Sequence, residues 1–396
     1  MAVYVLAVAV FLPVFAQEPS DDDVLARVGS REITVGEFRQ RIDLMPWPGK
    51  ENPQARDSAK IAALASLVAE KLLAQQAVEQ GMALNPTTSA SLAAIERLLA
   101  RNELYRTEAA ERVRVDSAEI VQALARYALL LRLNVFVVSS QHRAEKLAAC
   151  LSSADSAVSL DGVLSHDTVV VGFGDLHPAY EDAAYALGRE GEARAAFTER
   201  YGWAVLQLLE RATNPAYARQ GLQDRLLTVE QKLRRRKEGL LAIEFARRIL
   251  SKSLHLDSSA FHILADSLHA LMVADSADRQ GEVYVVRGDE VDRLRQQLAP
   301  FLRRTFAWMG DDSVTLDEIV GELKFFPLRF GSLRKSFFLR ALSEDMRLVI
   351  EAALMSHEAL RRNMHQRPVV RREMAMWIDA MQAEKLLKFL LDSLAR

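Results

Sequence analysis

Residues 129–140, LLLRLNVFVVSS, contain an apolar, β-branched run of the kind that forms a buried strand. The residues that follow alternate between helical and strand-like patterns. We predict a helix over 143–152, a strand over 168–173, a helix over 178–187 and a last strand over 204–209. The stretch 129–212 therefore predicts a small α/β domain of the order β-α-β-α-β with a mostly antiparallel sheet.

The sequence on both sides of this block predicts helices. Helices are expected over 57–81 and 87–111, and Asp116-Ser-Ala-Glu119 has the spacing of a capping box that begins a third. A long helix passes through the basic segment KLRRRKEG (232–239), which we interpret as a solvated helix face and not as a nucleic-acid site. The fold class is therefore α+β, with mainly helical modules flanking one small α/β domain.

The two ends of the chain show a faint internal repeat. VGSREITVGEFRQRID (28–43) aligns with MGDDSVTLDEIVGELK (309–324), so that Thr34 meets Thr315 and Glu37 meets Glu318. The alternative is two unrelated helical segments that share a common start signal. We expect the two helical modules to pack on each other, because each has apolar helix faces to bury. The predicted domains are a signal peptide (1–16), an N-terminal helical module (22–128), the α/β domain (129–212), a helical segment (213–300) and a C-terminal helical module (301–396).

The first residues predict export. An apolar run from Ala2 to Ala16 is too short to cross a bilayer comfortably, and it ends in a small-residue pattern typical of a signal cleavage site. Cys150 is the only cysteine of the 396 residues, so an internal disulfide is excluded. A net charge of -2 gives no overall attraction to nucleic acid. We expect a periplasmic protein; the alternative is one anchored by an uncleaved apolar segment.

Four stretches together resemble a known family. ARVGSREITVGEF (26–38) and VRVDSAEIVQAL (113–124) are similar to the N-terminal region of SurA/PrsA-type foldases. GFGDLHPAYEDAAYALGREGE (172–192) and FTERYGWAVLQLLER (197–211) resemble the middle and the last strand of a parvulin-type (PpiC) prolyl isomerase domain. The resemblance implies a foldase that needs no metal and no cofactor.

The same resemblance implies a set of site residues. Leu176 and Tyr180 match the apolar pocket of parvulins, and Asp167 matches the acid near its centre; Phe173 and Trp203 are further substrate-binding candidates. The alternatives are core packing for Leu176 and Tyr180, and a solvated loop or cap position for Asp167.

The sequence departs from the parvulin pattern at both histidines of the centre. Val135, or Asn134 after a one-residue shift, occupies the first histidine position, and Ala204 occupies the second. His166 and His177 are near enough in sequence to substitute in part; the alternative is that each is an exposed loop residue.

Three functions remain open at this point. The first is an exported chaperone or foldase with a degenerate parvulin site, whose partners are unfolded or nascent envelope proteins and extended apolar or Pro-containing peptides. The second is an active peptidyl-prolyl isomerase with an altered centre of Asp167, Leu176 and Tyr180. The third is a structural envelope-assembly protein that has kept the fold. Whether the chain is an enzyme stays undecided, and no partnership with nucleic acid or stable membrane insertion is expected.

Overall fold

The structure is a computed structural model, and it describes residues 20–44, 53–153, 161–199, 201–275 and 283–394. The predicted signal peptide (1–16) lies outside the described residues. The chain forms two compact units, one made of Met1–Glu103 with Lys252–Arg396 and the other of Leu104–Ser251.

The strands in chain order are β1 (Val24–Val28), β2 (Arg31–Thr34), β3 (Leu129–Val138), β4 (Val163–Val171), β5 (Ala193–Thr198), β6 (Gly202–Thr213), β7 (Leu254–Leu256), β8 (Tyr284–Val285), β9 (Thr305–Met309), β10 (Asp312–Thr315) and β11 (Arg329–Phe330). The helices are α1 (Val35–Leu44), α2 (Pro53–Glu79), α3 (Pro86–Glu108), α4 (Ser117–Tyr127), α5 (Gln141–Ser152), α6 (Pro178–Tyr185), α7 (Pro215–Arg219), α8 (Leu222–Ile249), α9 (Ser258–Ala274), α10 (Gly288–Gln297), α11 (Leu316–Glu322), α12 (Lys335–Arg361) and α13 (Pro368–Leu394). The α+β fold class is confirmed.

The α/β block has one more strand than the sequence predicted. Its sheet has the order β4-β3-β6-β5, and every neighbouring pair is antiparallel. We missed β5 because its sequence, ARAAFT, is half alanine and lacks the β-branched enrichment of a strand. Strand β4 also begins earlier than predicted, so that Asp167 lies inside a strand.

The two faces of this sheet carry separate apolar cores, because successive side chains of a strand point to opposite sides. Leu131, Leu133, Leu206 and Leu208 are fully buried on the side covered by α6. On the other side, α5 packs on an apolar cluster that includes Phe136, Val138 and Val205. The sheet is therefore the middle layer of an α-β-α sandwich.

The first compact unit contains the two copies of the proposed repeat. Each copy is an antiparallel hairpin, β1-β2 or β9-β10, followed by a helix. The hairpin turns use Gly29 and Gly310, whose φ angles of 59° and 61° lie in the left-handed region that glycine favours. Thr34 and Thr315 each accept a hydrogen bond from the backbone N–H three residues on. The two hairpin-helix segments share one local structure.

Helices α2 and α13 pack together, which confirms the expectation that the two helical modules pack on each other. A buried ion pair crosses this contact, with Lys71 Nζ 2.8 Å from Asp379 Oδ2. In the described part of the chain, only the segment Arg56–Glu79 of α2 is long and apolar enough to cross a membrane. Core helices of soluble proteins share this length and composition, so the segment does not by itself indicate a membrane span.

Candidate functional site

Helix α6 begins at a compact cap that follows strand β4. His177 is the N-cap, and its Nδ1 accepts a hydrogen bond from the N–H of Ala179 at 3.3 Å. Pro178 takes the first helical position, where a missing N–H breaks no helical hydrogen bond. Gly174 has a φ of 85°, and its N–H donates to the carboxylate of Glu181. The loop 172–177 is thereby held against the helix that it precedes.

Tyr180 lies on the face of α6 that packs against the sheet. It is only 9% exposed. Its hydroxyl donates to the carbonyl of Gly202 at 2.9 Å and lies 3.4 Å from the hydroxyl of Thr198, which donates to it. Leu176 and Val135 pack against the same apolar cluster. The Tyr180 hydroxyl is therefore engaged inside the fold, where it ties α6 to the start of β6.

Ala204 is part of that cluster and is 1% exposed. It lies opposite Val137 on β3 and Ala196 on β5, in the interior of the sheet. The position at which the parvulin pattern has its second histidine is thus a filled, apolar core position. With Val135 at the first position, this face of the sheet has no imidazole pair among the described residues.

Asp167 lies on β4 opposite Val135 and is exposed to solvent. Its Oδ1 accepts a hydrogen bond from the N–H of Thr168 at 2.7 Å. Since Val169 and Val171 of the same strand pack on the α6 side, the alternation of side chains places Asp167 on that side as well. The structure therefore puts Asp167, Val135, Leu176 and Tyr180 on one side of the sheet.

Two of the predicted substrate-binding residues lie elsewhere, which corrects their assignment. Trp203 packs on the opposite side of the sheet, in the cluster beneath α5, because it is one residue away from Ala204 along β6. Phe173 is 2% exposed and packs against α4 and α8 through residues such as Tyr127 and Leu233. Phe173 is a core residue and Trp203 is half-buried, and neither lies on the side of the sheet that carries Leu176 and Tyr180.

The two histidines near the site differ in position. His166 stacks on Phe136 at 4.3 Å between ring centroids, which puts it on the α5 side, away from Tyr180. His177 lies edge-on to Tyr180 and Tyr201, at centroid distances of 6.2 and 6.4 Å. Burial and then the charge of Arg236 lower the pKa of His177, so it is neutral near pH 7.

A cleft of about 460 Å³ lies between the loop before α6 and helix α8. Leu176 and Pro178 form one apolar wall, and Leu240 and Ile243 of α8 form the other. Leu240 is 45% and Ile243 50% exposed, although both are large apolar side chains. Arg235 also lines the cleft; it is exposed and has no ion-pair partner within the described ranges. The cleft combines apolar walls with the unpaired positive charge of Arg235.

Helix α8 is held in place by its basic side chains, which corrects the interpretation of 232–239 as a solvated face. Lys232 Nζ donates to the carbonyl of Phe173 at 2.6 Å. Lys237 Nζ lies 2.6 Å from the Glu119 carboxylate of α4. Arg236 pairs with both acidic residues of α6, Glu181 at 2.7 Å and Asp182 at 2.8 Å. Only the outward-facing arginines of this segment fit the original interpretation.

The two acidic residues of α6 respond differently to this surrounding charge. Burial raises the pKa of Glu181, and the N–H of Gly174 and the guanidinium groups of Arg236 and Arg126 only partly offset it. Burial also acts to raise the pKa of Asp182, but hydrogen bonds from Arg126 and Arg236 outweigh it and lower this pKa. Glu181 and Asp182 therefore hold α8 against α6 through Arg236.

Sequence reasoning missed the α8 wall of the cleft. Leu240 and Ile243 carry no motif, and they are three residues apart on a helix whose apolar residues are scattered around its circumference. The sequence does show both the acidic pair Glu181-Asp182 in α6 and the basic segment 232–239 in α8. Their complementary charge was the one signal that could have placed α8 against the block.

A scan against protein-family models found no match, and no curated protein matches the sequence. Solved structures do resemble it. One comes from a study of two SurA-like chaperones of Campylobacter jejuni; it shares 16% identity over 58% of this chain and 97% of its own, with a TM-score of 0.24.

Two further structures are similar. The peptidylprolyl isomerase PrsA of Bacillus cereus shares 16% identity over 56% of this chain and 87% of its own, with a TM-score of 0.19. The foldase PrsA of Streptococcus pneumoniae shares 12% identity over 54% of this chain and 86% of its own, with a TM-score of 0.23. These are the kinds of protein that the sequence motifs resemble.

Proposed function

We propose that this chain is an exported chaperone of the foldase type, which binds unfolded, apolar or Pro-containing segments of envelope proteins and isomerises prolyl bonds poorly. The observation that carries the proposal is the burial of Ala204, which is 1% exposed in an apolar cluster that also contains Tyr180. Ala204 stands where an isomerase of this type would present a polar group, and it is a buried, apolar core position.

Prolyl isomerisation must overcome a barrier of about 18–20 kcal/mol that arises from amide resonance. An enzyme lowers it with polar groups that favour the twisted amide over the planar one. Around Tyr180 the hydroxyl is committed to Gly202, and the positions of both histidines are apolar. This arrangement favours binding over catalysis.

The cleft beside α8 supplies a binding surface. Exposed Leu240 and Ile243 face Leu176 and Pro178 across it, and such apolar surface accepts side chains of many shapes. Export and a periplasmic location rest on the apolar run at 1–16 and belong to the same proposal.

One observation favours the second candidate, an active isomerase with an altered centre. Asp167 is exposed and lies on the same side of the sheet as Leu176 and Tyr180. A carboxylate there is free to approach a bound amide. This is the group on which residual catalysis would depend.

The test measures two activities of the purified chain: the cis-to-trans rate of an X-Pro peptide, and suppression of aggregation of an unfolded envelope protein. We expect suppression without a measurable isomerisation rate. Leu240→Asp with Ile243→Asp should weaken client binding about tenfold, because it charges the cleft wall. Leu222→Asp, on the same helix but outside the cleft, is the matched control.

An isomerisation rate that disappears in Asp167→Ala would establish the second candidate. If the chain shows neither activity, the structural envelope-assembly role is the one that remains. Equal effects of the cleft and control variants would exclude the cleft as the binding surface.

A further inference from the structure

Strand β4 is an edge strand of the four-stranded sheet. It pairs with β3 on one side, and no described strand pairs with the other. At nine residues it is long for an edge, and Leu164 and Val170 are 68% and 63% exposed. An edge of this kind offers unpaired N–H and C=O groups to any extended chain.

Proteins usually protect such edges with Pro, Lys, short strands or covering elements. β4 has no Pro and no Lys, and Asp167 is its one acidic residue. The opposite edge, β5, is shorter, with six residues, and contacts both α5 and α6. The contrast makes β4 the open edge of this sheet.

A hydrogen bond shows which way the backbone faces at the middle of β4. The N–H of Thr168 donates to its neighbour's carboxylate, Asp167 Oδ1, at 2.7 Å and not to β3. That N–H belongs to the set directed away from the sheet. The Asp167 carboxylate consequently lies along the open edge, beside the path that an added strand would take.

We propose that β4 accepts an extended polypeptide segment as an added antiparallel strand, and that it prefers a segment with Lys or Arg opposite Asp167. This inference rests on the proposed function and names how a client segment is held. Backbone pairing gives affinity that is independent of sequence, while opposite charges directly across two strands stabilise their pairing. Apolar side chains on either side of the basic residue would contact Leu164 and Val170.

A second copy of this chain is the other conceivable occupant, and the charge of β4 disfavours it. Asp167 is the middle residue of Val163–Val171, so an antiparallel pair of β4 strands that uses all nine residues places two Asp167 carboxylates opposite each other. Like charges directly opposite destabilise such a pair. A basic client segment removes this repulsion.

The test uses three nine-residue peptides of alternating Thr and Val: one with a central Lys, one with a central Glu, and the Lys peptide methylated at alternate backbone nitrogens. Binding to the full chain is measured by fluorescence anisotropy. The Lys peptide should bind about two- to fivefold more tightly than the Glu peptide. The methylated peptide, which keeps every side chain but cannot form the ladder, should lose binding by tenfold or more.

Protein variants provide the second arm. Asp167→Lys should reverse the preference between the Lys and Glu peptides. Thr168→Pro removes an outward N–H donor and also the hydroxyl's hydrogen bond to Asn134 Oδ1 on β3, so it should weaken all peptides; Pro is tolerated on edge strands. Thr168→Val, which removes only the hydroxyl's bond, is its control and should leave peptide binding unchanged. Unchanged binding of the methylated peptide would overturn the proposal, and so would indifference to charge, or dimerisation through β4 without peptide binding.

The outcomes separate this inference from the proposed function. If the chain suppresses aggregation but binds the methylated and unmethylated peptides alike, only the edge-strand inference fails. If it neither suppresses aggregation nor binds any peptide, the chaperone proposal fails with it.

Discussion

Arg236 of α8 donates a hydrogen bond across 2.7 Å to the carboxylate of Glu181 on α6, a side chain that is 1% exposed. The second cation near Glu181, Arg126, is 3.9 Å away. Arg236 is therefore the principal partner of a buried charge. It also holds α8 where the helix forms one wall of the cleft.

Arg236→Ala should destabilise the 104–251 unit by about 3–5 kcal/mol, because it leaves a buried carboxylate without its main partner. Denaturant unfolding followed by circular dichroism measures the change. Arg235→Ala is the matched control, since Arg235 is exposed and lines the cleft without an ion pair among the described residues; it should shift stability by less than about 0.5 kcal/mol. Equal effects of the two substitutions would show that the buried pair does not hold α8.

Ala204→His should cost about 1–3 kcal/mol of stability, because it inserts an imidazole into a packed core. It should not create isomerase activity. Ala212→His, on an exposed position of the same strand, should be close to neutral. A stable Ala204→His protein that isomerises an X-Pro peptide would show instead that the fold still accommodates the catalytic geometry.

A third prediction concerns His357 on α12, which lies between two carboxylates of the C-terminal hairpin-helix segment. Its Nδ1 is 2.8 Å from Asp312 Oδ1 and its Nε2 is 2.7 Å from Glu318 Oε1. The hydrogen bond to Glu318 is the main cause that raises the pKa of His357, with burial opposing and Asp312 adding to it. Burial would raise the pKa of Glu318, but His357 and Thr315 outweigh it and lower this pKa to about 2.

The sign of the pH effect follows from these directions. A raised histidine pKa stabilises the fold fully below about pH 6.5, and this contribution disappears as the pH rises through the folded-state value. The depressed pKa of Glu318 stabilises the fold above about pH 4.5, and this contribution is lost as the pH falls toward 2. His357→Gln should therefore lower the melting temperature most between about pH 4.5 and 6.5, and progressively less in alkaline buffer. A difference that is constant with pH would mean that His357 stays neutral.

Lys71→Ala is expected to be the most damaging single substitution in the first unit. Lys71 is 2% exposed and lies 2.8 Å from both Glu37 and Asp379. Its removal leaves the buried Glu37 without its ion-pair partner and Asp379 with Arg31 alone, at a cost of about 3–5 kcal/mol. Lys60→Ala on the same helix removes an exposed pair at 3.5 Å and should change the unfolding free energy by less than about 0.5 kcal/mol. Comparable losses would contradict the assigned role of the buried cluster.

The sequence predicted most of what local chemistry determines. The apolar run at 129–138 and the capping box at Asp116 each have a physical signature within a few residues. Strand β5 was not predicted because an alanine-rich edge strand forms through its pairing with the neighbouring strand, and its own composition does not indicate a strand.

The site was harder to predict because its members depend on which face of an element they occupy. A shift of one residue separates Trp203 from Ala204 and places them on opposite sides of the sheet. Phe173 looked like part of a pocket, but α4 and α8, distant in sequence, cover it. These contacts depend on tertiary packing that no local pattern encodes.

The packing of α2 on α13 constrains when the protein can fold. Glu37 lies near Lys71 in sequence, but Asp379, the second carboxylate of the buried cluster, emerges from the ribosome some three hundred residues later. Contacts so far apart in sequence form late, whereas the 104–251 unit is continuous and is complete well before α13 is made. The N-terminal segment would therefore wait, with its helices only partly buried, until the last part of the chain arrives. A protein proposed to protect unfinished chains would itself pass through that vulnerable state.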